Sequence, residues 1–339
     1  MSDRTLALSV DGIRSYLRCP RRYEFAHVDG LEGEADDPTT EGRLEVLRRA
    51  ICDGLRADSD ADALETAILE RLGELWADHD ERLHSRTQRR HERRVLEATA
   101  RAYVEAVGAT HAAGIDALGS DAPAAEFVGP HLPLTGSVAL PEREARASIE
   151  APVDYVSADG SSLVGVRFVP TLRPLGLLRY RDRWEGDVAD LFAAHFDPER
   201  DEFAPGLVGG LFETSVALEG LRALRDELDL TGYRTCRYVQ IPLADRSRVT
   251  VNWMRDAVEA SLEPCDLTDV FLDHQTFGMT HQHRNGAVES RLADTVSAIA
   301  RGAFDPASRW ETIAEHACPD CAYAVCCGPR VAAEVRFDG

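Results

Sequence analysis

The sequence predicts an α/β fold, helices packed around a small central sheet, with a helical insertion at roughly residues 58–112. Three observations lead there. Ser148–Ser157 and Ser162–Val169 alternate apolar and polar residues around Ala158-Asp159-Gly160-Ser161, an Asp-Gly hairpin signal. Several segments before and after carry apolar residues at helical spacing, and the texture changes after Gly114, where Gly, Pro and Ala crowd a loop. In chain order, Leu6 to Tyr23 reads as an extended stretch and then a short helix, with Ser9 as N-cap. Leu44, Leu47, Ile51 and Leu55 mark a helix over about 40–55. Two more are expected at about 61–77 and 86–113. A helix at about 211–227 follows the hairpin. Tyr233–Leu243 and Arg248–Trp253 read as a second hairpin around Ala244-Asp245-Arg246, and further helices are expected at about 254–262 and 289–301.

The 339 residues, 44% hydrophobic, suffice for one domain with a sizeable core. The formal net charge is −21, and all 38 basic residues are Arg; the chain has no Lys. That balance points to a halophilic, haloarchaeal source, where salt screens the repulsion among carboxylates. The acids are scattered rather than blocked, which disfavours an acidic mimic of nucleic acid. No apolar run approaches the ~20 residues of a membrane span and no signal-peptide pattern is seen, so no membrane partner and a cytoplasmic location are expected.

Eight cysteines in such a protein are more often ligands or core fillers than disulfides. Cys19 stands near the start, and Cys318-x2-Cys321-x5-Cys327 near the end, with Cys326 as alternate to its neighbour. Four thiolates hold an iron–sulfur cluster, or a structural zinc with His316 recruited. Cys52, Cys236 and Cys265 lack ligand-like spacing and read as core. Arg86, Arg90 and Arg94 recur at i, i+4 with Arg89 and Arg93 beside them, a positive stripe suited to DNA phosphates or to nearby acids such as Asp78, Asp80 and Glu81. Arg179, Arg181 and Arg183 around Tyr180 and Trp184 form a weaker candidate for stacking single strands. Asp154 is a lone strand carboxylate that Glu126 or Glu150 would have to join to hold a metal. His274, His281 and His283 read as an exposed polar loop.

Ala7-Leu8-Ser9 through Cys19-Pro20-Arg21-Arg22-Tyr23-Glu24-Phe25 resembles the opening of the RecB-like PD-(D/E)XK nucleases. Cys318-x2-Cys321-x5-Cys327 is similar to the closing iron–sulfur motif of AddB-type repair nucleases and CRISPR-adaptation exonucleases. Pro152-Val153-Asp154-Tyr155-Val156 resembles the strand bearing that family's first metal-binding Asp. The resemblance implies a restriction-endonuclease-like core across residues 1–339, closed by a cysteine-rich segment at 315–330. It implies a 4Fe–4S clasp on Cys19, Cys318, Cys321 and Cys327, and Mg2+ or Mn2+ at Asp154 if the protein is active. DNA, including single strands, and a helicase subunit are the implied partners. The chain departs from the pattern where the family's Asp/Glu-x-Lys-Thr would fall. One register gives Phe168-Val169-Pro170-Thr171, the other Gly165-Val166-Arg167, and neither supplies the carboxylate with the Lys. The His after Gly42 and the Gln-x3-Tyr near Leu211–Ala217 are missing too. The expectation is therefore a protein of DNA repair, recombination or defence with a degenerate centre, acting by binding DNA or a helicase. The rivals are an exonuclease with a rebuilt site and a scaffold that does not bind nucleic acid.

Overall fold

The computed structural model describes residues 6–33, 37–57, 61–119, 126–140, 145–183, 188–197, 200, 202–252, 254, 257–271 and 284–334. Strand β1 (Leu6–Ser9) runs into helix α1 (Val10–Arg18). The Ser9 hydroxyl accepts the Gly12 N–H at 3.0 Å, so the predicted cap is made. Cys19 ends α1, and α2 (Pro20–Tyr23) starts on the proline that follows, which has no N–H to leave unpaired. Helices α3 (Pro38–Ala57), α4 (Ala61–Asp78), α5 (Arg86–Tyr103) and α6 (Ala109–Gly119) come next, the last two joined by a π-helical turn at Val104–Gly108. Helical backbone thus passes Gly114 and reaches Gly119.

Strands β2 (Val128–Leu140), β3 (Ala145–Asp159) and β4 (Ser162–Val169) form an antiparallel run. Gly160, at φ 58°, makes the β3–β4 turn that the Asp-Gly pair predicts. Two short 3-10 turns, Arg173–Arg183, lead to α7 (Val188–Phe196) and α8 (Pro205–Glu227). Strand β5 (Thr235–Pro242) lies parallel to β4, β1 lies parallel to β3, and the sheet is therefore mixed. After β6 (Val249–Asn252), β7 (Ala257–Ala260) and β8 (Cys265–Asp266) come α9 (Thr268–Phe271), α10 (Gly286–Ala300), α11 (Trp310–His316) and α12 (Gly328–Glu334).

Two expectations are corrected. β5 does not pair with β6; it sits between β4 and β8 in the main sheet, while β6 pairs with β7 as a separate ribbon. Cys236 and Tyr238 pack on one face of β5, and Val239 and Ile241 on the other, which suits an interior strand with parallel company. The helix expected at 254–262 is β7: Ala257–Ala260 alternates and finds β6 as its partner.

The sheet is covered on both faces. Helices α1, α7, α8 and α10 pack on one side. Helices α3 to α6 pack on the other against Tyr155, Val164, Val166, Phe168, Val239 and Ile241, so the 58–112 region shares a core with the sheet. Each such large side chain, fully buried, contributes about 1.5–3 kcal/mol. Among the described residues, no helix is long and apolar enough to cross a membrane.

Candidate functional site

Asp154 lies on β3, 1% exposed, beside the end of β4. Its Oδ2 accepts the Phe168 N–H at 2.5 Å, and Arg48 Nε approaches Oδ1 to 2.8 Å. The Nε–H is not aimed at that oxygen, so this contact is an ion pair rather than a hydrogen bond. The same guanidinium donates from Nη1 to Glu45 Oε2 at 2.8 Å and from Nη2 to the Phe168 carbonyl at 3.0 Å. One planar cation thus closes on oxygens from α3, β3 and β4. His131 Nε2 stands 3.3 Å from the same Glu45 oxygen. It is carried there by a bulge in β2, where its backbone is left-handed at φ 59°. Gly129 makes that bulge possible, since a Cβ there would meet the Asp154 carbonyl at 2.8 Å. Burial pushes the Asp154 carboxyl above the usual carboxylate range, while Arg48 and the Phe168 N–H pull the other way.

A second buried network lies next to it. Glu213 on α8 is 0% exposed and accepts from Arg14 of α1, Arg167 of β4, the Tyr238 hydroxyl at 2.6 Å and Gln240 Nε2 at 3.2 Å. Arg167 also reaches Asp11 at 3.3 Å. Burial works against the Arg167 charge, but Glu213, Tyr238 and Asp11 outweigh it and hold the guanidinium protonated. Since Tyr155 pairs with Val166, the β4 residues level with Asp154 are Arg167 and Phe168. A cation and an aromatic ring therefore stand where a second carboxylate would be needed. Glu126 and Glu150 are exposed, and neither contacts Asp154 among the described interactions. No sequence motif marks Arg48, Glu45, His131 or the Glu213 network. Their one local signal is the Glu45–Arg48 spacing, which any salt-bridged helix also shows.

The chain ends meet. Cys19, Cys318, Cys321 and Cys327 line one pocket together with Phe25, Trp310, Ile313, Arg21, Arg22 and Arg330. The N–H groups of Arg21 and Arg22, opening α2, point at the Cys19 sulfur. Burial raises the Cys19 and Cys318 thiols above their ordinary range, and the neighbouring cysteines add to it. Among the described residues no group of three or more His, Cys, Asp or Glu side chains is drawn together in metal-ligand geometry. As a donor set, four thiols around one space fit an iron–sulfur cluster or zinc. Cys326 is exposed, its Sγ 3.3 Å from the Tyr323 carbonyl, whereas Cys327 is buried in the pocket wall. Tyr323 ties the closing segment to the N-terminal region through Leu31 O at 3.1 Å and a ring contact with Phe25. Cys52 and Cys236 are buried core residues and Cys265 is half-buried on β8.

The arginine stripe on α5 is divided. Arg89 lies over the Trp76 ring and donates to the Trp76 and His79 carbonyls at the end of α4; Arg93 pairs with Glu97 at 2.8 Å. Arg94 is half-buried, whereas Arg86 and Arg90 are exposed. Arg179 lies 4.5 Å from the ring centre of the exposed Tyr180. The side chains of Arg181 and Arg183, and all of Trp184, His274, His281 and His283, lie outside the described residues.

No curated protein matches the chain. The sequence profile of the PD-(D/E)XK nuclease superfamily matches residues 7–164, from β1 into the first half of β4. That span contains Cys19, α3 and Asp154 and stops before Arg167. Over it the chain is similar to that superfamily, and the mixed sheet flanked by helices is consistent with the superfamily's restriction-endonuclease-like fold.

Proposed function

We propose that the chain is a nuclease-like protein of DNA repair, recombination or defence that binds DNA or a helicase partner and does not cut. One observation carries the non-cutting half: the Arg48 guanidinium sits among Asp154, Glu45 and the Phe168 carbonyl. Metal-assisted hydrolysis needs carboxylate oxygens turned to a divalent ion that activates water. Here an internal cation already neutralises them, and Arg167 and Arg14 neutralise Glu213. Arg86 and Arg90 supply an exposed basic face for phosphates. Cys19, Cys318, Cys321 and Cys327 are the residues that would hold a 4Fe–4S cluster, which when bound cross-links the two ends of the chain.

The test uses full-length protein purified without oxygen, mixed with single- and double-stranded DNA in Mg2+ or Mn2+. The expected result is intact DNA and salt-dependent binding. Replacing Arg86 and Arg90 by Gln should weaken binding to all sequences alike and reduce the salt slope by about 2. DNA degradation abolished by Asp154→Asn would sink the non-cutting reading. Absence of DNA binding at any salt would remove the DNA arm and leave a helicase partner or the scaffold.

A further inference from the structure

A cleft of about 590 Å³ lies on the far side of α8 from Glu213's partners, between β2, α8 and α10. Ser137, Val138 and Ala139 of β2 form one wall, Ser215, Glu219 and Arg222 of α8 the floor, and Leu292 and Ala293 of α10 the other wall. Three arginines line it, in a chain whose net charge is −21. Two have partners within the cleft. Arg146 donates to the Ser137 hydroxyl, which itself donates to Glu219 Oε1 at 3.1 Å. Arg284 forks onto Glu289 at 2.8 and 2.6 Å. Arg222 is different. It is half-buried, and no described residue accepts a hydrogen bond from it or forms an ion pair with it. Glu219 and Glu289 attract it through space and Arg284 repels it, but neither carboxylate comes close enough to pair with it. A guanidinium withdrawn from water without an acceptor is costly, and arginine's planar fork matches the oxygens of a phosphoryl group two at a time.

We infer that this cleft binds a small phosphorylated molecule. Its phosphoryl group sits on Arg222, with Arg146 and Arg284 at the rim, and its apolar body lies against Val138, Ala139, Leu292 and Ala293. The site is separate from Asp154 and from the cysteines, and it does not rest on the DNA reading.

Titration calorimetry of the full chain with phenyl phosphate, inorganic phosphate and benzoate tests it. Phenyl phosphate should bind saturably at one site, more tightly than inorganic phosphate because of its ring, and more tightly than benzoate. Arg222→Met keeps the apolar stem and should weaken phenyl phosphate at least tenfold, whereas Arg71→Gln, on α4 and paired with Asp53 and Glu74, should leave it unchanged. Phenyl phosphate should also raise the melting temperature of the unmodified chain by mass action, a readout that needs no variant. No saturable binding, benzoate binding as tightly as phenyl phosphate, or binding that survives Arg222→Met in a folded protein would each overturn the assignment.

Discussion

At Asp154 and at the chain ends, the protein gathers electron-rich donors in two places and treats them oppositely. Asp154, Glu45 and the Phe168 carbonyl meet Arg48, a cation the chain supplies itself. Cys19, Cys318, Cys321 and Cys327 share a pocket lined also by Arg21, Arg22 and Arg330, none of which, among the described interactions, pairs with a sulfur as Arg48 pairs with Asp154. Carboxylates that cannot reach water need a charge at hand, and a guanidinium held on the neighbouring helix is permanent. Buried thiols can stay protonated and neutral, so they need no resident cation and give up protons only when a metal arrives. The first set is held by a cation of the chain's own; under the proposed reading the second would take a metal.

The largest expected effect is at the cysteines. Structural metals contribute on the order of 10 kcal/mol in small domains. Cys321→Ser should abolish the iron or zinc measured per chain and lower the unfolding midpoint sharply, while Cys326→Ser should change neither. Equal metal content in the two variants would remove the distinction between the sites. Next comes Arg48→Met, which strands the Asp154 carboxylate without its cation and should cost about 3–5 kcal/mol in denaturant unfolding. Adding Asp154→Leu should recover most of that loss. A single-variant cost below about 1 kcal/mol would show that the pair is not the buried clamp the geometry describes.

The smallest effect is a pH dependence in the neighbouring core. His111 Nδ1 lies 2.6 Å from the Tyr155 hydroxyl, and burial drops its pKa from 6.5 to about 4. A folded-state value below the unfolded one means that the unfolded chain takes up the proton first. Stability therefore falls as pH drops from 6.5 towards 4, by about 2–3 kcal/mol at pH 4.5. Urea unfolding at pH 7 and 4.5 should show that difference flattened in His111→Gln. An unchanged slope would place the acid sensitivity elsewhere.

Local signals were legible in the sequence where short-range chemistry decides the outcome. Ser9 caps α1, Asp159-Gly160 turns β3 into β4, and α4 begins at Ala61 and runs to Asp78, all close to expectation. What failed was partner choice. Val249–Asn252 has the same alternation whether it pairs with β5 or β7, and only the need to bury both faces of β5 decides. The departure from the family's Asp/Glu-x-Lys pattern is legible in Phe168, Pro170 and Arg167. The replacement is not, because Glu45 and Arg48 look like a surface helix pair until α3 docks on β3, more than 100 residues later in the chain.

Cys19 leaves the ribosome about 300 residues before Cys318. Leu31 and Phe25 likewise wait for Tyr323, and Tyr16 for the Ala303 carbonyl 2.8 Å away. Helix α1 can cap itself at once, but its outer side is finished only after Ala303 has been made. Translation that stops between Asp266 and Ala303 therefore yields a chain that has every described strand of the sheet and none of its closure. Quality control would meet that product as an exposed N-terminal segment.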